Sequence, residues 1–96
     1  MDNLIGRFAI SKAGHDKDVL YVVTAQGEGF VYLCDGKYHT IEKPKKKSLK
    51  HVGLCRASVS EEMRRRIAEK INIFDHEIKY VIKLQKEGKE EGYVKE

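Results

Sequence analysis

Apolar residues recur with a two-residue period through the first part of the chain and with a helical period through the last third. In Leu4–Lys12, Phe8 and Ile10 fall on one side of the shorter period, which predicts a strand. Lys12–Asp18 is a polar turn around Gly14. Val19–Ala25 is rich in β-branched and aromatic residues and reads as a second strand. Gln26–Gly29 is a second turn, and Phe30–Cys34 a third strand. Asp35-Gly36 suits a type I′ hairpin turn, so Lys37–Ile41 is expected to return as the fourth strand. Glu42–Leu49 then reads as a basic loop around Pro44, with the basic character running on to His51, and His51–Arg56 as a short closing strand.

The period changes after residue 57. Ser58 with Glu61 fits a capping box at a helix start. Met63, Ile67 and Ile71 follow at helical spacing, with Arg64, Arg65 and Arg66 largely off that stripe. Asn72–Asp75 reads as a break with Asp75 as a second N-cap, and Ile78, Val81 and Ile82 continue an apolar stripe to about Lys86. Two helices are expected, with one long helix as the alternative. The pattern as a whole predicts a mainly β fold: a small five-stranded barrel over residues 1–57, a helical extension of one or two helices over 58–87 packed on it, and a flexible polar tail over 88–96. Closing the sheet would remove exposed edges, which a short chain needs.

Length and composition narrow the function. Ninety-six residues allow one domain. The longest unbroken apolar runs are Val19–Val23 and Phe30–Cys34, far short of the roughly twenty residues a membrane helix needs. The start, MDNLIGRF, lacks the basic-then-apolar pattern of a signal peptide, so a cytoplasmic protein is expected. The formal net charge is +4, and it is concentrated. From Lys37 to Arg56 the cations Lys37, Lys43, Lys45, Lys46, Lys47, Lys50 and Arg56 face a single anion, Glu42, while the rest of the chain is slightly acidic. A localised cationic segment is the footprint expected of a polyanion-binding surface.

The order Ile5-Gly-Arg-Phe-Ala-Ile-Ser-Lys-Ala-Gly-His-Asp-Lys17, followed by Leu20-Tyr-Val-Val23, resembles a KOW motif: a strand, a glycine turn with basic flanks, and a second strand. Cys34-Asp-Gly-Lys37 and the lysine segment Glu42–His51, ending in Leu-Lys-His, resemble the L-fourteen-e family of large-subunit ribosomal proteins, more closely its small bacterial relatives. The resemblance covers about residues 4–52, and Ser60–Lys86 more loosely resembles the paired-helix tail of archaeal members. One position departs from the motif: Asp18 stands where many KOW turns carry a glycine or small residue. The resemblance implies an SH3-like barrel, binding of ribosomal RNA, and ribosomal proteins as further partners.

Lys12, His15, Lys17, Lys37, Lys43, Lys45, Lys46, Lys47, Lys50 and His51 are therefore the expected phosphate contacts. Such contacts release counterions and make binding steeply salt-dependent. Tyr32 or Tyr38 could stack a base, but the aromatics form no larger stacking platform. Arg64–Arg66 are expected on a solvated face with Glu61, Glu62 and Glu69 as helical partners. Cys34, His39, His51 and Cys55 are the right types for zinc, but neither cysteine sits in a C-x₂₋₄-C knuckle, so no metal or other cofactor is expected. No Walker loop, G-x-S-x-G or H-E-x-x-H occurs, and His15-Asp16 and Asp75-His76-Glu77 are mere neighbours, so neither enzymatic activity nor a small-molecule substrate is expected. The alternatives are a protein-interaction module and a transcription-associated factor of the kind that other KOW proteins exemplify.

Overall fold

A computed structural model of the chain describes residues 3–88. The elements are β1 (Arg7–Ser11), β2 (Leu20–Gly27), β3 (Phe30–Cys34), β4 (Lys45–Ser48), a single 3₁₀ turn at Leu49–His51, β5 (Val52–Ser58), α1 (Glu61–Glu69) and α2 (Asp75–Glu87). The strands form one antiparallel sheet in the order β4-β3-β2-β1-β5. Strands β1 to β4 run as a meander, and β5 returns to pair with β1. The sheet is not closed: β4 and β5 lie at its two edges, joined by the 3₁₀ turn.

The central strand β2 shows how the core is organised. Its run of apolar residues is buried on both faces, so the side chains alternate between two clusters. Leu20 and Val22 join Phe8, Cys34 and Val59 with Met63, Ile67, Ile78 and Ile82 of the helices. Tyr21 and Val23 join Leu4, Ala9, Val31, Leu33 and Val52 on the opposite face. The helices thus cover one side of the sheet while the other side curls around its own core. Fully burying side chains such as Phe8, Leu33 or Ile78 stabilises by roughly 1.5–3 kcal/mol each.

The segment 35–48 differs from its expected form. Lys37–Ile41 is not a strand, and Lys45–Ser48 is one rather than a loop. Asp35 explains the first change: its Oδ1 accepts the amides of Lys37, Tyr38 and His39 at 2.8–2.9 Å. Ile41 gives its amide to Asp75 Oδ1 at 2.8 Å. With those donors occupied, no ladder can form there. Asp35-Gly36 still turns the chain, with Gly36 at φ 80°, but it opens a longer connection to β4 rather than a tight hairpin. Strand β4 then pairs Leu33↔Lys45 through Phe30↔Ser48. Three lysines are poor strand formers, and cross-strand pairing with β3 overrides the propensity.

Both helix starts are also shifted. Ser60, not Ser58, caps α1, its side chain accepting the Met63 amide at 3.2 Å. Ser58 is still in β5, opposite Arg7. Helix α1 stops at Glu69 because Lys70 and then Asn72 adopt left-handed backbone, which leaves Ile71 exposed rather than on the helical stripe. Phe74, not Asp75, is the N-cap of α2, and Glu77 accepts the Phe74 amide at 3.1 Å. The two-helix expectation holds. The expected tail at 88–96 lies outside the described residues except for Gly88, the left-handed C-cap of α2.

One further irregularity lies between β1 and β5, where the register shifts between Arg7 and Ala9. The carbonyl of Cys55 falls in this bulge and accepts both Nε and Nη2 of Arg7, at 2.9 and 2.6 Å. The guanidinium satisfies a backbone group that the ladder leaves out.

Candidate functional site

Two basic segments distant in sequence meet where the turn after β1 packs against β4. The turn after β1 carries Lys12, His15 and Lys17, and β4 with the 3₁₀ turn carries Lys45, Lys46, Lys47, Lys50 and His51. Asp16 joins them. Its Oδ1 accepts Lys47 Nζ at 3.0 Å and the Ser11 hydroxyl at 2.9 Å. Its Oδ2 accepts the Tyr21 hydroxyl at 2.9 Å and lies 3.7 Å from Lys45 Nζ. Lys47 Nζ also donates to the carbonyl of Ala13 at 2.9 Å, and the Lys12 amide donates to the His51 carbonyl at 2.8 Å.

The lysine run is therefore not a uniform patch. A strand alternates its side chains, and Lys45 and Lys47 share the face of their cross-strand partners Leu33 and Val31. Lys47 is nearly buried, with 11% of its side chain exposed. Lys46 points to the other face, where its Nζ stands 4.3 Å from the centre of the Phe30 ring. Lys45 and Lys47 are thus turned toward Asp16, and of these two expected phosphate contacts Lys47 is the less accessible, Lys45 keeping 33% of its side chain exposed. Lys12, His15, Lys17, Lys43, Lys46, Lys50 and His51 are exposed. Lys12 lies against β5, where Gly53 leaves room for its stem. Lys37 is carried to a different place, a cleft beside α2.

The electrostatics of Asp16 follow from these contacts. Burial raises its carboxyl pKa, but hydrogen bonds from Lys47, Tyr21 and Ser11 and the charge of Lys45 outweigh burial and hold it well below the usual carboxylate range. Burial, then the hydrogen bond to Asp16, raises the Tyr21 phenol above its usual value.

Asp18, the residue that departs from the KOW pattern, sits at φ 74°, and its amide donates to the Ser11 carbonyl at 2.8 Å. The turn therefore keeps the backbone a glycine would adopt and puts an aspartate in it. Left-handed backbone costs a β-carbon residue roughly 1–2 kcal/mol, partly offset in Asp18→Gly by the greater freedom of the unfolded chain. Asp18→Gly is expected to leave stability unchanged or raise it by up to about 0.5 kcal/mol, and Asp18→Val to lower it by about 1–2 kcal/mol. Urea denaturation midpoints of the two variants check this.

The cysteines do not face an open site. Cys34 is buried, its thiol donating to the Thr40 carbonyl at 3.1 Å, and burial pushes its pKa up to about 11. Burial likewise raises Cys55. Among the described residues no three His, Cys, Asp or Glu side chains cluster as a metal site would require. No helix among them is long and apolar enough to cross a membrane.

The fold also pairs charges within the last third. Arg64 pairs with Glu61, and Arg66 with Glu62 and Glu77. Glu77, from the second helix, thus takes the place expected for Glu69. Asp75 is occupied by the Ile41 amide. The anions at the start of α2 are used internally, while Lys79, Lys83 and Lys86 line the cleft that also receives Lys37. Their spacing at helical intervals was the signal available in the sequence. Comparison with protein-family models and with curated proteins finds no match.

Proposed function

We propose that this chain is a non-catalytic RNA-binding protein with an SH3-like barrel of the KOW type, acting on ribosomal RNA through backbone phosphates. The observation that carries the reading is the Asp16 junction. It fixes the 12–18 turn against the 45–51 segment, so that lysines and histidines of both are brought together. The strand order supports the barrel type, since a four-strand meander is followed by a 3₁₀ turn and a fifth strand that returns to the first. Lysine ammonium groups on short turns follow a phosphate backbone by position and shape rather than by reading bases.

The test is binding to structured ribosomal RNA fragments across a salt series, using a variant in which Lys17, Lys43, Lys46 and Lys50 are all alanine. These residues are exposed, and Lys45 and Lys47 are left in place because they hold the turn. The wild type is expected to show a steep loss of affinity with salt. The variant's slope should be shallower by about one unit for each phosphate it no longer neutralises. Equal slopes in the two proteins would remove these lysines as the RNA surface.

A further inference from the structure

Helix α2, the 35–39 connection and the start of β2 enclose an open cleft of about 730 Å³. That volume lies within the roughly 300–1,000 Å³ of clefts that take organic ligands. Lys37, Tyr38, Lys79, Tyr80, Lys83 and Lys86 line it. Tyr38 is 75% exposed and Tyr80 58%, so both rings are open to a ligand. Lys37 Nζ stands 5.0 Å from the centre of the Tyr38 ring. Cations and aromatic faces are therefore interleaved along one helix face and the loop opposite it.

Two acidic residues also border the cleft. Asp35 turns its Oδ1 to the amides of residues 37–39, which reduces its cost to an anionic ligand. Glu87 lies at the C-terminal end of α2 and sets a limit to the cationic stretch there. The balance remains cationic along the middle of the helix.

We infer that this cleft holds an unpaired stretch of RNA, its bases stacked on Tyr38 and Tyr80 and its phosphates neutralised by Lys37, Lys79, Lys83 and Lys86. This inference rests on the RNA-binding reading above and adds a second contact of different chemistry. The joined basic segments offer charge for a folded RNA backbone, whereas the cleft offers π-faces, which only unstacked bases can use. Every base has such a face, so the contact tolerates different sequences. An acidic protein segment would use the lysines and leave both tyrosine rings without a role.

The experiment measures fluorescence anisotropy of the full chain with two RNAs at one salt concentration: a blunt hairpin, and the same hairpin with an unpaired oligouridine tail. The tail is expected to tighten binding by about tenfold. Tyr38→Ala and Tyr80→Ala should each remove most of that gain and leave blunt-hairpin affinity unchanged. Tyr38→Phe and Tyr80→Phe should retain it, because stacking needs the ring and not the hydroxyl. If the hairpin binds but the tail adds nothing, or adds the same in the alanine variants, the cleft inference falls and the RNA-binding reading stands. If neither RNA binds, both fall. If an oligoglutamate peptide displaces the tail and the alanine substitutions affect neither ligand, the cleft is a site for an acidic protein instead.

Discussion

Asp16→Ala is expected to destabilise the fold by about 2–4 kcal/mol, somewhat below the roughly 3–5 kcal/mol for stranding one partner of a fully buried ion pair, because both side chains keep some exposure. Lys47 would keep its charge with 11% of its side chain exposed, and Tyr21 would lose the acceptor of its hydroxyl. A domain of this size has about 5–15 kcal/mol of stability in all, so the loss is a large share. At about 4–8 °C per kcal/mol, the melting temperature should fall by about 8 °C or more. Asp16→Asn should fall less far, because the amide oxygen still accepts hydrogen bonds, and Lys47→Met should also be milder, because it removes the charge that would otherwise be stranded. If Asp16→Ala melts within a few degrees of the wild type, the junction does not hold the turn.

The same carboxylate gives the protein a defined acid limb. The pKa of Asp16 is lower in the folded chain than its ordinary 3.8, so the unfolded state binds the proton first as pH falls. Its contribution is therefore whole above about pH 4 and is lost as pH drops through the folded value. Asp16→Asn should flatten the stability profile below about pH 4. Tyr21 acts at the other end: its raised pKa makes its contribution whole below its ordinary value of 10.0 and lost as pH rises beyond.

Gly36→Ala is the second change with a large expected effect. Gly36 has φ 80°, and a β-carbon there would stand 2.4 Å from the Asp75 carbonyl oxygen and 2.8 Å from the Lys79 amide nitrogen. Both obstacles are backbone of α2, so no rotamer change relieves them. Left-handed strain and overpacking together predict a loss of about 2–4 kcal/mol, read by thermal denaturation. The substitution should also displace the 35–39 loop from α2 and so open the cleft. Gly29→Ala is the control, because Gly29 has φ 82° but no atom within 4 Å of the added carbon. It should show the backbone penalty alone.

Several elements of this architecture are legible in the residues. The apolar run of β2 and the helical stripes of Met63–Ile67 and Ile78–Ile82 lie where the periods put them, because burial of a regular element imposes its period on the sequence. The basic segment is equally visible, because charge is a local property. Pairing is not local. Nothing within Lys45-Lys-Lys-Ser48 declares a strand; β3 makes it one by offering its free edge. Nothing within Asp35–Ile41 excludes a strand until Asp35 and Asp75 have taken its amides.

The candidate site divides along the same line. The sequence by itself determined which cations were present, that they cluster between Lys37 and Arg56, and that the turn at Lys12–Asp18 adds more. Only the tertiary structure decided which of them stay free for a partner. The two-residue alternation of β4 sends Lys45 and Lys47 to Asp16 and leaves Lys46 outward. The ion pairs of α1 and α2 join Glu61, Glu62 and Glu77 to Arg64 and Arg66, while Lys79, Lys83 and Lys86 line the cleft beside Lys37. Composition adds charges along a line, whereas a folded chain pairs them across space, and the surface potential is set by the charges that remain unpaired.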